Sequence, residues 1–171
     1  MVATARKIKE DHPDASVVFI GPCASKKLEA SRRTVRSDVD FVITFEELAG
    51  MFEAKGLLPE AVEAHDHMND ATSAGRGYGV AGGVASAIES CIREYYPDVE
   101  VHIEHAESLT ECKKMLMLAK AGKKNGCLIE GMACPGGCVA GAGTNIPIPQ
   151  AVKEVTSFKN AAEEKLPSRE D

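Results

Sequence analysis

Apolar positions along the chain fall into short continuous runs separated by longer stretches of helical spacing. Residues 2–11 repeat polar and apolar positions with a helical period and stop ahead of Pro13. The run SVVFIG (16–21) reads as a buried strand, and FVIT (41–44) as a second strand covered on both faces. FEELAGMFEAKG (45–56) reads as a helix closed by Gly56. The polar segment 57–73, which contains Pro59, reads as loop or short helix. A glycine-studded stretch, AGRGYGVAGG (74–83), leads into a helix over 84–96. A strand over 99–105, a helix over 109–122, a strand over 125–131 and a final helix over 150–165 complete the pattern.

Strands that alternate with helices of this length pair in parallel, which places the chain in the α/β class, with mostly parallel sheets flanked by helices. Ligands of such sheets gather beyond the carboxyl ends of the strands. Cys23 and Cys134 each follow a predicted strand and so fall where that rule places a site. The chain carries no clear linker, low-complexity tract or tandem repeat, and segment 57–73 is the best position for a boundary between two lobes.

Composition narrows the function classes. Of 171 residues, 44% are hydrophobic, enough for a sizeable core, but there is no Trp, so that core is mainly aliphatic. A net charge of -6 argues against nucleic acid and against an anionic membrane surface. No apolar run approaches a membrane span, and the first residues lack a signal-peptide core, so the expected location is cytoplasmic. Six cysteines are too few for a disulfide scaffold of this length, and in a reducing compartment clustered thiols are ligands or catalysts more often than bridges.

Cys134 and Cys138 flank Pro-Gly-Gly in EGMACPGGC. Thiolates suit zinc or iron–sulfur clusters, and the glycines free the backbone to approach what the sulfurs hold. The continuation VAGAGT reads as a source of amide N–H groups aimed at cluster sulfurs. Cys23 lies in GPCASKKLE, where Pro22 holds the backbone and Lys26 is placed to lower a thiol pKa or to meet an anionic ligand; Lys27 reads as a solvated lysine. Cys91, Cys112 and Cys127 read as small core or near-surface thiols. A zinc site joining Cys134 and Cys138 to His65/His67 or His102/His105 is chemically possible, although no spacing demands it. AGRGYGVAGG resembles a phosphate cradle without the preceding strand that such a loop requires.

Three stretches together, FIGPCASKKLE, GYGVAGGV and EGMACPGGC, with SDVDFVITFEEL between the first two, resemble the catalytic H-domain of the iron-only hydrogenases over most of the chain. The resemblance implies two intertwined α/β lobes, the whole of 1–171 being part of one such domain. It implies that Cys23, Cys134 and Cys138 are ligands of a 4Fe–4S cubane, and that Cys138 also bridges to a diiron subcluster. Lys26 matches the lysine that meets a cyanide ligand, Met132 a methionine packed on the diiron site, Glu29 an acidic residue near it, and Tyr78 an aromatic residue close to the cluster. The implied activity is reversible oxidation of dihydrogen. The implied partners are a ferredoxin-like electron carrier or additional iron–sulfur domains, maturation proteins, and a further N-terminal segment of the same domain; nucleic acid and membrane are not expected.

The departures carry equal weight. The family's first signature segment, which supplies the remaining cubane cysteine and a proton-passing cysteine, has no counterpart in this sequence, and these 171 residues alone are expected to be inactive. Gly21, Ala140 and Thr144 stand where methionine, asparagine and glutamine are frequent. Two alternatives remain open: a non-catalytic iron–sulfur protein, either a cluster-assembly relative or a hydrogen-sensing domain, and a zinc-stabilised structural domain.

Overall fold

The computed structural model describes residues 1–32, 34, 38–63 and 70–168. The chain divides into two units, one formed by Met1–Ala64 with Gly141–Asn145, the other by His65–Ala140 with Ile146–Asp171. His65 and His67, one half of the possible zinc pairing, lie outside the described residues.

In the first unit, helix α1 (Val2–Asp11) ends where its apolar spacing ends. Strands β1 (Val18–Ile20) and β2 (Phe41–Ile43) pair in parallel, Val18 opposite Phe41 and Ile20 opposite Ile43, with helix α2 (Ser25–Ser31) in the connection between them. Helix α3 (Phe45–Ala54) starts with a capping box: Thr44 Oγ1 accepts from Glu47 N at 3.2 Å, and Glu47 Oε2 accepts from Thr44 N at 2.9 Å. It ends at Lys55, followed by Gly56 at φ 66°. Asp40 accepts from Val17 N at 2.7 Å and pairs with Lys9, which holds its carboxyl below the ordinary 3.8 and fastens α1 to the entry of β2.

FVIT is not covered on both faces. Phe41 is 62% exposed, and Val18 and Ile20, on the same face of the pair, are 45% exposed. The sheet has two strands and two open edges, and among the described residues no third strand pairs with it. Lys27 also departs from expectation. Its Nζ donates to both oxygens of Glu47, at 2.9 and 2.7 Å, and to the Val42 carbonyl at 3.1 Å, and so fastens α2 to β2 and the start of α3. Lys27, followed by the Thr44 amide, holds the Glu47 carboxyl below its ordinary 4.5. A carboxyl lowered on folding contributes stability that is complete above its unfolded value and is lost as pH falls through the folded one. Lys27→Met is therefore expected to flatten the fall in urea midpoint below pH 4.5, with a small loss near neutrality. An acid limb identical to wild type would show that this pair contributes nothing.

In the second unit, helix α4 (Ser73–Arg76), a 3₁₀ turn (Gly77–Gly79) and helix α5 (Gly83–Tyr95) precede strand β3 (His102–Glu107). Helix α6 (Leu109–Lys120) crosses to strand β4 (Cys127–Met132), which pairs in parallel with β3 over its whole length, His102 opposite Cys127 through Glu107 opposite Met132. Half-buried Cys112, Met115 and Ala119 share one face of α6, at helical spacing. A 3₁₀ turn (Cys138–Ala140) and helix α7 (Ile148–Asn160) complete the unit. The Arg76 guanidinium stacks on Phe158 at 4.2 Å and donates to the Phe158 carbonyl at 3.1 Å, which locks α4 to α7.

Helix α7 stops at Asn160, short of the expected 165, because the carbonyls of Glu164 and Lys165 accept from Ser73 N at 2.7 Å and Ala74 N at 3.0 Å. Those bonds satisfy the first amides of α4, a tertiary use that outweighs one more helical turn. The buried apolar residues are small: Ala5 and Val39 in the first unit, and Ala85, Ala87, Ala106, Val139, Ala151 and Ala162 in the second. Among the described residues, no helix is long and apolar enough to cross a membrane.

Candidate metal centre

Strand β4 delivers the cysteine loop. After Met132 the chain turns through Cys134, Pro135, Gly136 and Gly137, with φ 95° at Gly136 and 93° at Gly137, a backbone that glycine adopts without penalty. Gly137 N donates to the Cys134 carbonyl at 3.0 Å and Ala140 N to the Gly137 carbonyl at 3.0 Å, closing consecutive turns around Cys138. Cys134 is half-buried and Cys138 exposed. The middle of the loop is held from two sides: Gly136 N donates to Glu107 Oε2 at 2.8 Å, and the Gly136 carbonyl accepts from Ala81 N at 3.1 Å. A β-carbon on Gly137 would lie 2.4 Å from Ala81 N and 2.7 Å from the Val80 carbonyl carbon, so here backbone touches backbone.

The glycine-rich stretch before α5 does bind an anion at the helix start, and the anion is the chain's own. Glu130, buried on β4, accepts from Gly82 N at 2.6 Å, Val84 N at 3.1 Å and Ala85 N at 3.0 Å. Its carboxylate satisfies the first amides of α5 and complements the helix dipole, as an external phosphate would. His105 Nδ1 lies 3.3 Å from Glu130 Oε2. Sequence reasoning missed Glu130. The available signal was one carboxylate inside the apolar run CLIEGM, which a buried strand tolerates only when it is bonded.

Met132 is half-buried at the end of β4, and its carbonyl accepts from Ser108 N at 2.8 Å. Ser108 caps α6, accepting from Glu111 N at 3.3 Å, and has φ 100°, the one positive value at a non-glycine among the described residues. Tyr78, in the turn Gly77–Gly79, is 47% exposed and lines an apolar groove of about 550 Å³ with Ile88, Cys91, Ile92 and Tyr95. The adjoining Gly79 packs on Val139, beside Cys138. Cys112 Sγ lies 3.6 Å from the Ala106 carbonyl and 3.8 Å from that of Met132, the surroundings of a thiol packed behind the sheet.

In the first unit, half-buried Cys23 follows β1. The Pro22 carbonyl accepts from Gly143 N at 2.9 Å, and the Gly143 carbonyl from Glu46 N at 3.3 Å, which pins the Cys23 turn to α3 through the 141–145 segment. Lys26 and Glu29, both expected at the site, pair with each other on α2. The continuation after the second cysteine does not present its amides to sulfur at three positions whose partners are defined: Ala140 N goes to the Gly137 carbonyl, Gly143 N to that of Pro22, and Thr144 N to that of Gly141 at 3.2 Å.

Among the described residues, no three Cys, His, Asp or Glu side chains gather into a metal-binding group. The thiols are divided, Cys23 in one unit and Cys134 with Cys138 in the other. The zinc reading loses its described histidines, because His105 is committed to Glu130, while His102 is 63% exposed with Glu100 at 3.7 Å. The donor set itself fits a thiolate-bound cluster: two sulfurs on one loop, separated only by a proline ring and two glycines, on a backbone already held in place.

Residues 1–142 match the model of the iron only hydrogenase large subunit, C-terminal domain. The chain is 30% identical over 175 residues to the periplasmic [Fe] hydrogenase large subunit of Nitratidesulfovibrio vulgaris, covering 81% of this chain and 41% of that protein. It is 29% identical over 180 residues to iron hydrogenase 1 of Clostridium pasteurianum, covering 85% of this chain and 31% of that one. The chain thus spans less than half the length of these curated relatives. In fold it is similar to the [FeFe]-hydrogenase HydA1 from Chlamydomonas reinhardtii, with a TM-score of 0.61 and 20% identity over 98% of this chain and 59% of that one. With a matched family model over most of its length, a cysteine loop held on two sides, and an α/β fold shared with solved hydrogenases, the chain belongs to the family formed by the C-terminal domain of iron-only hydrogenase large subunits.

Proposed function

We propose that this chain supplies three thiolates, Cys23, Cys134 and Cys138, to an H-cluster, and that the protein containing it interconverts dihydrogen with protons and electrons. The observation that carries the reading is the loop of Cys134 and Cys138, whose middle residue is bonded on one side to Glu107 and on the other to Ala81. When bound, the cluster supplies the redox chemistry, a 4Fe–4S cubane exchanging electrons with a diiron subcluster. This chain's residues do the rest. Cys23, Cys134 and Cys138 would hold the cluster, Met132 would present an apolar thioether to it, Tyr78 would offer an aromatic ring from the turn whose Gly79 packs on Val139, and Lys26 with Glu29 would supply a charged pair beside Cys23. An electron carrier or further iron–sulfur domains, maturation proteins and a further segment with the fourth cubane cysteine belong to the same proposal. Cytoplasmic, anaerobic operation belongs to it as well, whereas the relative from N. vulgaris is named as periplasmic.

Anaerobic reconstitution with iron and sulfide tests it. The wild-type chain is expected to take up about four irons, the content of one cubane, and Cys134→Ala/Cys138→Ala to take up almost none. Equal iron in both, or stoichiometric zinc without iron, would overturn the proposal. One observation favours a second reading, a non-catalytic iron–sulfur domain: the Lys26 ammonium is already engaged by Glu29 within α2. A maturated sample whose infrared spectrum lacks carbonyl and cyanide bands would decide for that reading.

A further inference from the structure

We propose that Glu130 is a positioning residue for the Cys134–Cys138 loop, acting through the backbone of 81–85 and touching no cluster atom. The inference rests on the reading of those cysteines as ligands. Between Met132 and the turn at Cys138, Glu107 and Ala81 bond the middle of the loop, Gly136, from outside it. Ala81 precedes Gly82, whose amide makes the shortest of the three backbone bonds to Glu130, and Val84 and Ala85 make the other two. The strand that leads into the loop therefore carries the carboxylate that grips the strap on which the loop rests. His105 and Glu107, two residues apart on β3, are the direct cross-strand partners of Glu130 and Met132, so the ends of both strands present His105, Glu107 and Glu130 on one face.

Burying a carboxylate offers little net stability over an apolar residue of similar size, and its attested advantage is a fixed arrangement. Here it fixes the helix start, with Gly82 at φ 79°, one residue from the bond that supports the loop. Glutamine at 130 keeps the size, turns one acceptor into a donor facing amide N–H groups, and removes the charge.

Amide exchange in the cluster-free chain tests the inference independently of metal. In Glu130→Gln, with helical circular dichroism unchanged, protection is expected to fall at Gly82, Val84 and Ala85, and also at Ala81, which does not touch Glu130. Alkylation of the half-buried Cys134 is expected to accelerate about tenfold. Loss confined to the three directly bonded amides, with Ala81 and Cys134 as in wild type, would overturn the proposal. If Glu130→Gln loses its helical signal, His105→Ala, which removes only the outer partner, becomes the deciding variant. Its Cys134 is expected to react about threefold faster, and an unchanged rate would sink the idea. In the reconstituted chain, Glu130→Gln is expected to shift the reduction potential of whatever cluster the wild type binds, and an unshifted potential at full iron content also counts against it. Absence of iron in wild type would make cluster assembly depend on the further segment that carries the fourth cysteine, while the exchange data still judge Glu130.

Discussion

Gly83→Ala is expected to destabilise the second unit by about 4 kcal/mol, a large share of the roughly 5–15 kcal/mol that holds a domain folded. The β-carbon would lie 2.0 Å from the Gly77 carbonyl oxygen and 2.8 Å from its carbonyl carbon, well inside contact distance with backbone that has no rotamer to change. Nor can the Gly77 turn retreat easily. Gly77 is buried, its carbonyl accepts from Val80 N at 3.3 Å, and Lys159 of α7 packs against its Cα, only 3.2 Å from a β-carbon placed there. The effect is one of contact rather than conformation, because Gly83 opens α5 with helical geometry that alanine prefers. Gly50→Ala, in the middle of α3 with nothing within 4 Å, isolates that preference and is expected to stabilise by up to about 1 kcal/mol. Urea midpoints measured side by side should move in opposite directions. A Gly83→Ala midpoint close to wild type would mean that the 77–83 turn is far looser than its bonding indicates.

The same turn marks where sequence reasoning stops. Helix α1 was legible to the residue, and α3 nearly so, because apolar spacing and the closing Gly56 are local signals. The parallel pairing followed from the alternation of elements, and the cysteine loop from composition together with family likeness. The failures all involve a partner distant in sequence. Lys27 finds Glu47 twenty residues away, α7 surrenders its last turn to cap α4, and Phe41 stays uncovered because a two-stranded sheet provides nothing to cover it. Glu130 is the instructive case. Its partners lie 45 to 48 residues away: Gly82, in the stretch AGRGYGVAGG, and Val84 and Ala85 just beyond it bind a carboxylate on their amides, and that carboxylate is internal. Local pattern argued against an anion site there, because the preceding strand is missing, and a carboxylate distant in sequence fills it.

Gly137→Ala is expected to cost about 3 kcal/mol of stability and to reduce iron uptake to less than half of wild type. Two effects combine there. At φ 93° an alanine carries backbone strain of about 1–3 kcal/mol, and its β-carbon would meet Ala81 N at 2.4 Å, the Val80 carbonyl carbon at 2.7 Å and the Gly79 oxygen at 2.8 Å. Gly126→Ala separates them, since Gly126 has φ 78° but nothing within 4 Å of the added carbon, and about 1 kcal/mol is expected from strain alone. The two variants should also part in function. Gly126 precedes β4 and leaves the cysteine loop in place, so iron uptake should remain at the wild-type level. Gly137→Ala must lift the loop off the 79–82 backbone, break the Ala81 bond to Gly136 and turn Cys134 away from its position. If both variants lost equal stability and kept equal iron, close backbone approach would have no part in holding the thiols, and the second glycine of the motif would be explained by its dihedral angle alone.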